Sequence, residues 1–96
     1  MAIGKADIIM YCVYILQSEK NGSYYIGSSG NLERRLFEHN SGKTKSLRYL
    51  RPLKLVFKQG FPLFQQAQRM ERKLKKLKNR NIIERIILDK EIKMGL

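Results

Sequence analysis

The apolar positions of the first third of the chain are spaced for a β-hairpin. From Ile8 to Leu16 the sequence is dense in β-branched and aromatic residues (Ile8, Ile9, Tyr11, Val13, Tyr14, Ile15), which reads as a mostly buried strand. Glu19-Lys20-Asn21-Gly22 follows, and Asn-Gly is a strong turn signal because both residues tolerate positive φ. Tyr24-Tyr25-Ile26-Gly27 returns as a second strand. Neighbours on a strand face opposite sides, so only one of Tyr24 and Tyr25 can point into a site.

The period then changes. Ser28-Ser29-Gly30 reads as a tight polar loop. Asn31 is a good N-cap, and Glu33 in the first turn complements the helix dipole. This helix runs to about His39 or Asn40 and stops at Ser41-Gly42. Leu32 and Leu36 define its buried stripe, with Arg35 and His39 side by side along one border. Lys43 to Arg51 reads as a basic loop leading to a third strand, Leu53 to Lys58, which Gly60-Phe61-Pro62 breaks. Pro62 is placed to open the next helix. Ala67, Met70, Leu74 and Leu77 recur at helical spacing as its core face. Glu71 lies about 80° from the centre of that stripe, at the edge of the buried face. Asn79 or Asn81 caps a last helix carried by Ile82, Ile83, Ile86 and Ile87. No repeat, linker or low-complexity segment is visible, and Asp89 to Leu96 has no assigned role.

Ninety-six residues imply one domain, spanning residues 10–90, with residues 1–9 as a short N-terminal extension and Met10 as an alternative start. A domain of this size buries roughly 65% of its unfolded surface, which supports one modest core but not two. Cys12 is the only cysteine and His39 the only histidine. An intrachain disulfide and a Cys₂His₂ or Cys₄ zinc site are both excluded, and the reading is a reducing, cytoplasmic setting. Cys12 itself reads as a small core residue, with no base beside it to make a nucleophile. No apolar run approaches the length of a membrane span, and there is no signal-peptide pattern.

Charge changes the picture most. The formal net charge is +12 and the pI about 10.2, beyond what solubility needs, which favours a polyanionic partner. From Arg34 to Arg80 there are about fifteen Lys and Arg against two acids, Glu38 and Glu71. Arg34, Lys43, Lys45, Arg48, Arg51, Arg72 and Lys75 are the candidate nucleic-acid contacts. Glu71 is the single carboxylate between Glu38 and Glu84, set among Arg69, Arg72, Lys73, Lys75, Lys76 and Lys78. One acid inside such a surface can hold a divalent cation against a phosphate.

Tyr14, Tyr25, Arg35, His39 and Glu71 are the candidate catalytic set, and the residue types suit phosphodiester hydrolysis. Mg²⁺ takes one or two carboxylates plus waters and substrate phosphates. Arginine offers a planar fork to charge developing at phosphorus. A tyrosine or histidine serves as base for the attacking water, and a dense positive field is expected to lower the tyrosine pKa. Each residue also has a plainer reading. Tyr14 and Tyr25 suit a core tyrosine with its hydroxyl at the surface, Arg35 a solvated or phosphate-contacting helix residue, and His39 a favourable charge at a helix C-terminus. Glu71 suits a simple i, i+4 pair with Lys75.

As a set, the residues tip the balance. Cys12-Val13-Tyr14, Tyr25-Ile26-Gly27, Asn31-Leu32-Glu33-Arg34-Arg35-Leu36, His39-Asn40-Ser41-Gly42 and Ala67-x-x-x-Glu71 together resemble the GIY-YIG nuclease domain, in its small single-domain branch. The resemblance covers roughly Met10 to Ile87. It implies an α+β fold, a three-stranded antiparallel sheet flanked by helices, and single-metal cleavage of DNA by an endonuclease, with a role in repair or recombination. By position, Tyr14 and Tyr25 flank the water, one of them as base; Arg35 is the transition-state cation; Glu71 binds Mg²⁺ or Mn²⁺; and His39 assists proton transfer or orients the phosphate. Gly27 allows close backbone approach. The family often adds an asparagine beyond the glutamate helix, for which Asn79 and Asn81 both stand. The chain departs at Cys12, where the first signature triplet has glycine, and lacks the Asn-Pro and tryptophan that often end the small branch. A non-catalytic module holding DNA or RNA on the same fold is the alternative, and a small nuclease needs a protein partner, self-association or a preferred substrate shape for targeting.

Overall fold

In a computed structural model the sheet is three-stranded and antiparallel, in the order β2-β1-β3. The structure describes residues 11–93; Ile8, Ile9, the proposed extension and the last three residues lie outside them. Strand β1 (Tyr11–Ser18) pairs with β2 (Tyr24–Ser29) on one side and β3 (Leu53–Phe61) on the other. The hairpin turn closes as the Asn-Gly signal implies, with Gly22 at φ +79°. Helix α1 (Leu32–Asn40) is capped by the Asn31 side chain, which accepts from the Arg34 N–H. Helices α2 (Phe64–Leu77) and α3 (Arg80–Asp89) follow β3. Asn79, not Asn81, caps α3, accepting from the Ile82 N–H.

The expectation of a single core is corrected. Val13, Tyr14, Ile15 and Leu16 are all buried, so β1 is covered on both faces and two apolar clusters form. Val13 and Ile15 meet Phe57, Phe61, Ala67, Met70, Leu74, Ile83 and Ile86 under α2 and α3. Tyr14 and Leu16 meet Leu47 and Leu53, with Leu32 and Leu36 of α1 packed against them. Central placement of a continuous apolar strand explains this, since such a strand has no solvent face.

Other boundaries move for local reasons. Ser28 and Ser29 belong to β2, paired with Val13 and Cys12, rather than to a loop. The Ser29 hydroxyl accepts from the Asn31 N–H just ahead of the cap. Strand β3 runs through Gly60 to Phe61, opposite Cys12 and Tyr11; the ladder overrides the glycine. Pro62 precedes α2 without opening it, because the Gln66 side chain reaches back to the Leu63 N–H and sets the start there. The segment Lys45–Leu50, expected as loop, is a 3₁₀ helix that drives Leu47 under the sheet. Leu77 is exposed, not core, at the last turn of α2. The unassigned tail docks through buried Ile92, whose N–H donates to Gln59 Oε1.

Candidate active site

The site forms around β2, an edge strand of the sheet. Pleating sends Tyr25 to the α1 face and Tyr24 to the α2 and α3 face, so Tyr25 is the one that joins Tyr14. Their ring centroids are 6.4 Å apart. Tyr14 pairs across the ladder with Gly27. A Cβ on Gly27 would lie 2.5 Å from both Cζ and Oη of Tyr14. The glycine is therefore a seat for the phenol ring, and close approach here is by a side chain.

Helix α1 supplies the next partners. The stripe expected at Leu32 and Leu36 is only half-buried, and the residue of α1 that buries completely is His39. An imidazole can be buried only with its nitrogens satisfied. Tyr14 Oη lies 3.0 Å from His39 Nε2, and Thr44 Oγ1 lies 2.6 Å from His39 Nδ1. Tyr25 meets the same imidazole edge-on at 5.2 Å. Thr44, two residues past Gly42, closes the chain Thr44–His39–Tyr14; its sequence context gave no signal of this.

Burial sets the protonation states. The His39 pKa is lowered by loss of solvent and then by the Arg35 charge, against a weaker pull from Glu38. Imidazole is thus neutral near pH 7, carrying one N–H. The tyrosine expectation is overturned. Tyr14 is pushed up to about 12, chiefly by burial, with Arg35 opposing and Tyr25 and Glu71 adding to the rise. The field of the basic surface does not outweigh the loss of solvent around a hydroxyl that is almost wholly enclosed. Burial likewise raises the Cys12 thiol, against the Lys58 charge, in keeping with a packing role.

Arg35 is half-buried beside the Tyr14 hydroxyl and donates from Nη1 to Glu38 Oε1 at 2.9 Å. Arg34 points outward, 3.8 Å from Glu38 at closest. Glu38 thus orients Arg35, a part not foreseen from the sequence. Glu71 arrives from α2 on the other face, half-buried as its helical phase implied. Ser28 Oγ donates to Glu71 Oε1, and Lys75 Nζ donates to Oε2 at 2.6 Å. Lys75 Nζ also sits 5.8 Å from the Tyr25 ring centroid, which ties the two sides of the edge strand together. A groove of about 430 Å³ lined by Tyr24, Tyr25, Lys75, Asn79 and Arg80 opens alongside. A concavity of about 660 Å³ against α3 contains none of the candidate catalytic residues.

Residues 10–84 match the GIY-YIG catalytic domain. The chain belongs to that family. It is 43% identical over 67 residues to a UPF0213 protein of Streptococcus pneumoniae serotype 4, covering 69% of this chain and 67% of the relative. It is 41% identical over 85 residues to a UPF0213 protein of Clostridium perfringens, covering 88% and 89%. A third relative is the structure-specific endonuclease subunit SLX1 of Phaeosphaeria nodorum, 41% identical over 58 residues; these are 54% of this chain and 16% of SLX1. The solution NMR structure of a UPF0213 protein from Bacillus halodurans superposes with a TM-score of 0.53 at 33% identity, over 85% of this chain and 87% of that one.

The chain is thus a GIY-YIG nuclease domain of the small kind, and the α+β sheet expected from the sequence is the observed one. Cys12 in place of glycine is absorbed without disturbance, half-buried beside Leu32. Nucleases of this family use a divalent metal. Among the described residues there is no group of three or more His, Cys, Asp or Glu that could cage an ion. The donor chemistry nevertheless suits Mg²⁺ or Mn²⁺, because one carboxylate completed by waters and substrate phosphates is an ordinary shell for such an ion. Glu71, expected as the ligand, is a half-buried carboxylate that could hold it. The exposed cations Lys43, Lys45, Arg48, Arg51 and Arg72 stand outside this centre. Arg48 and Arg51 are braced by bonds from Nε to the carbonyls of Gly42 and Arg48, at 2.5 and 2.7 Å. Among the described residues no helix is long and apolar enough to cross a membrane.

Proposed function

We propose that the protein is a divalent-metal-dependent endonuclease that hydrolyses DNA phosphodiester bonds. The observation that carries this is the buried Tyr14–His39–Thr44 chain. A module that only binds DNA gains nothing from enclosing a histidine and aligning it on a tyrosine hydroxyl. A hydrolase needs such an arrangement to take a proton from water.

Tyr14 is the base in this reading, acting with His39. A phenol held near 12 is almost never ionised at pH 7, so it works as a relay. Water gives its proton to Tyr14 Oη while the Tyr14 proton passes to His39 Nε2, and the Nδ1–H remains on Thr44 Oγ1. The hydroxide equivalent attacks phosphorus, the P–O bond to the leaving oxygen breaks, and that oxygen takes a proton from solvent to leave as a hydroxyl. Arg35, fixed by Glu38, faces the charge that develops on the phosphoryl oxygens. Tyr25 packs against His39 and orients the water. Glu71 holds the metal ion, which when bound polarises a phosphate oxygen. Arg34, Lys43, Lys45, Arg48, Arg51 and Arg72 hold the DNA backbone. This positions substrate without reading sequence. Kinship with an SLX1 endonuclease subunit favours a branched or flapped DNA substrate and a setting in repair or recombination, with a partner or second copy aiding targeting.

The test is cleavage of labelled linear, single-stranded and branched DNA in Mg²⁺, Mn²⁺ or EDTA, with Tyr14→Phe, His39→Gln and Glu71→Gln alongside. Metal-dependent nicking by the wild type, lost in all three, is expected. Tight, salt-sensitive binding with no product on any substrate would show a binding module instead.

A further inference from the structure

Both oxygens of Glu71 are already engaged. One oxygen accepts from Ser28 Oγ and the other from Lys75 Nζ, at 2.6 Å. An i, i+4 pair on a helix is common and weak. This one differs in two respects. The hydroxyl on the far oxygen fixes the carboxylate, which is only 19% exposed at its side chain. The ammonium is also held over the Tyr25 ring, 5.8 Å from its centroid, where a cation is attracted by the aromatic face. Lys75 thus occupies the ground between Glu71 and Tyr25 that a cation bound to Glu71 would take.

Resting on the reading of Glu71 as the metal ligand, we infer that Lys75 is a built-in stand-in cation that keeps the divalent ion out until DNA arrives. In the free protein the ion must displace an ammonium, and a carboxylate neutralised by one is a poor ligand for a dication. A backbone phosphate offers Lys75 another partner. It also brings oxygen donors of its own to the ion. Metal and DNA then bind with positive coupling, and the coupling is equal in both directions. Lys75 is a positioning residue here and takes no part in bond breaking. The arrangement keeps a hydrolytic centre from being loaded before its substrate is seated.

The experiment reads metal binding without turnover. Mn²⁺ is titrated into DNA-free protein and followed by the EPR signal of the free ion, for wild type, Lys75→Met, Lys75→Arg and Glu71→Gln, with circular dichroism confirming each fold. Lys75→Met is expected to bind Mn²⁺ about three- to tenfold more tightly, from release of the pair and of the residual repulsion. Lys75→Arg keeps the charge and stays within about twofold of wild type. A non-cleavable phosphorothioate duplex is expected to tighten Mn²⁺ binding more in wild type than in Lys75→Met. Equal or weaker binding by Lys75→Met, or none in either protein without DNA, overturns the inference. Should Glu71→Gln alone abolish binding, the role of Glu71 survives that failure; Mn²⁺ affinity indifferent to Glu71→Gln would instead sink the reading of the site.

Discussion

Replacing Gly27 by alanine adds one methyl group at the point where the Tyr14 ring rests on β2. The new Cβ would lie 2.5 Å from Cζ and Oη and 3.0 Å from Cε1 of Tyr14. Ordinary contact needs about 1 Å more than the closest of these. The ring is enclosed, 1% exposed, so its tip moves only by dragging Tyr25 and His39 with it. A shift of about 1 Å takes the 3.0 Å bond from Tyr14 to His39 past hydrogen-bonding range. Overpacking of this kind costs about 1–3 kcal/mol, and the better strand preference of alanine returns about 0.5–1. The net expectation is a loss of about 0–2.5 kcal/mol of stability. Misplacing a reacting group by that distance costs about 100-fold in rate. Single-turnover nicking gives the rate and urea denaturation gives the stability. Gly30→Ala is the control, since its Cβ would meet half-buried Tyr11 at 3.2 Å, and it should keep nearly full activity. A Gly27→Ala protein that nicks at the wild-type rate would refute the placement of Tyr14 as the base.

The remaining predictions concern protons and clamps. If neutral Tyr14 relays to His39, kcat/KM rises only through the lowered His39 pKa, below its usual 6.5, and is flat above about pH 7; a tenfold rise per unit continuing toward pH 10 would assign the base to free tyrosinate. His39 is a base whose folded pKa is depressed, so the unfolded chain binds more protons and stability is lost as pH falls from 6.5 through the folded value. The melting temperature of the wild type should therefore drop over that window, and His39→Gln should flatten the drop; an unchanged slope would mean that other groups cause it. Asn40 joins the end of α1 to the start of β3, donating to the Leu53 carbonyl at 2.9 Å and accepting from its N–H at 2.7 Å. Asn40→Ala should cost about 2–3 kcal/mol by chemical denaturation, and a cost below about 0.5 kcal/mol would show that water replaces both bonds.

The parts of the fold set by local chemistry were legible. The Asn-Gly turn, the Asn31 cap and the Ala67, Met70 and Leu74 stripe depend on neighbours in sequence, and all three appear where local rules put them. Misreadings arose where a distant partner decides. Gly60 and Ser28 look like breakers until β1 lies beside them. Leu77 has the right period for burial, but the helix outruns the layer beneath it. His39 looks like a border residue at a helix end, and only Thr44 and Tyr14, 5 and 25 residues away, make its burial affordable. The five candidate site residues could be named because their types and spacing match a family. Their supports, Ser28, Glu38 and Thr44, could not, since serine, glutamate and threonine are common and their partners are set by packing.

That division follows from size. A chain this short has two thin layers on one sheet and no separate place for chemistry. Tyr14 and His39 are among the largest fully buried side chains of the molecule, so two members of the proposed site are also core residues. Glu71 approaches β2 from the opposite face, bonded to Ser28, and in the proposed site it serves the same centre because β2 is an edge strand and leaves a way around it. A central strand would have screened the carboxylate from the tyrosines. Hence the second apolar cluster, which a size argument alone discouraged, is what the proposed site rests on: burial there lowers the His39 pKa and raises that of Tyr14. Substitutions in this centre therefore act on stability and catalysis together, and a lost rate identifies a chemical role only where the folded fraction is measured in the same preparation.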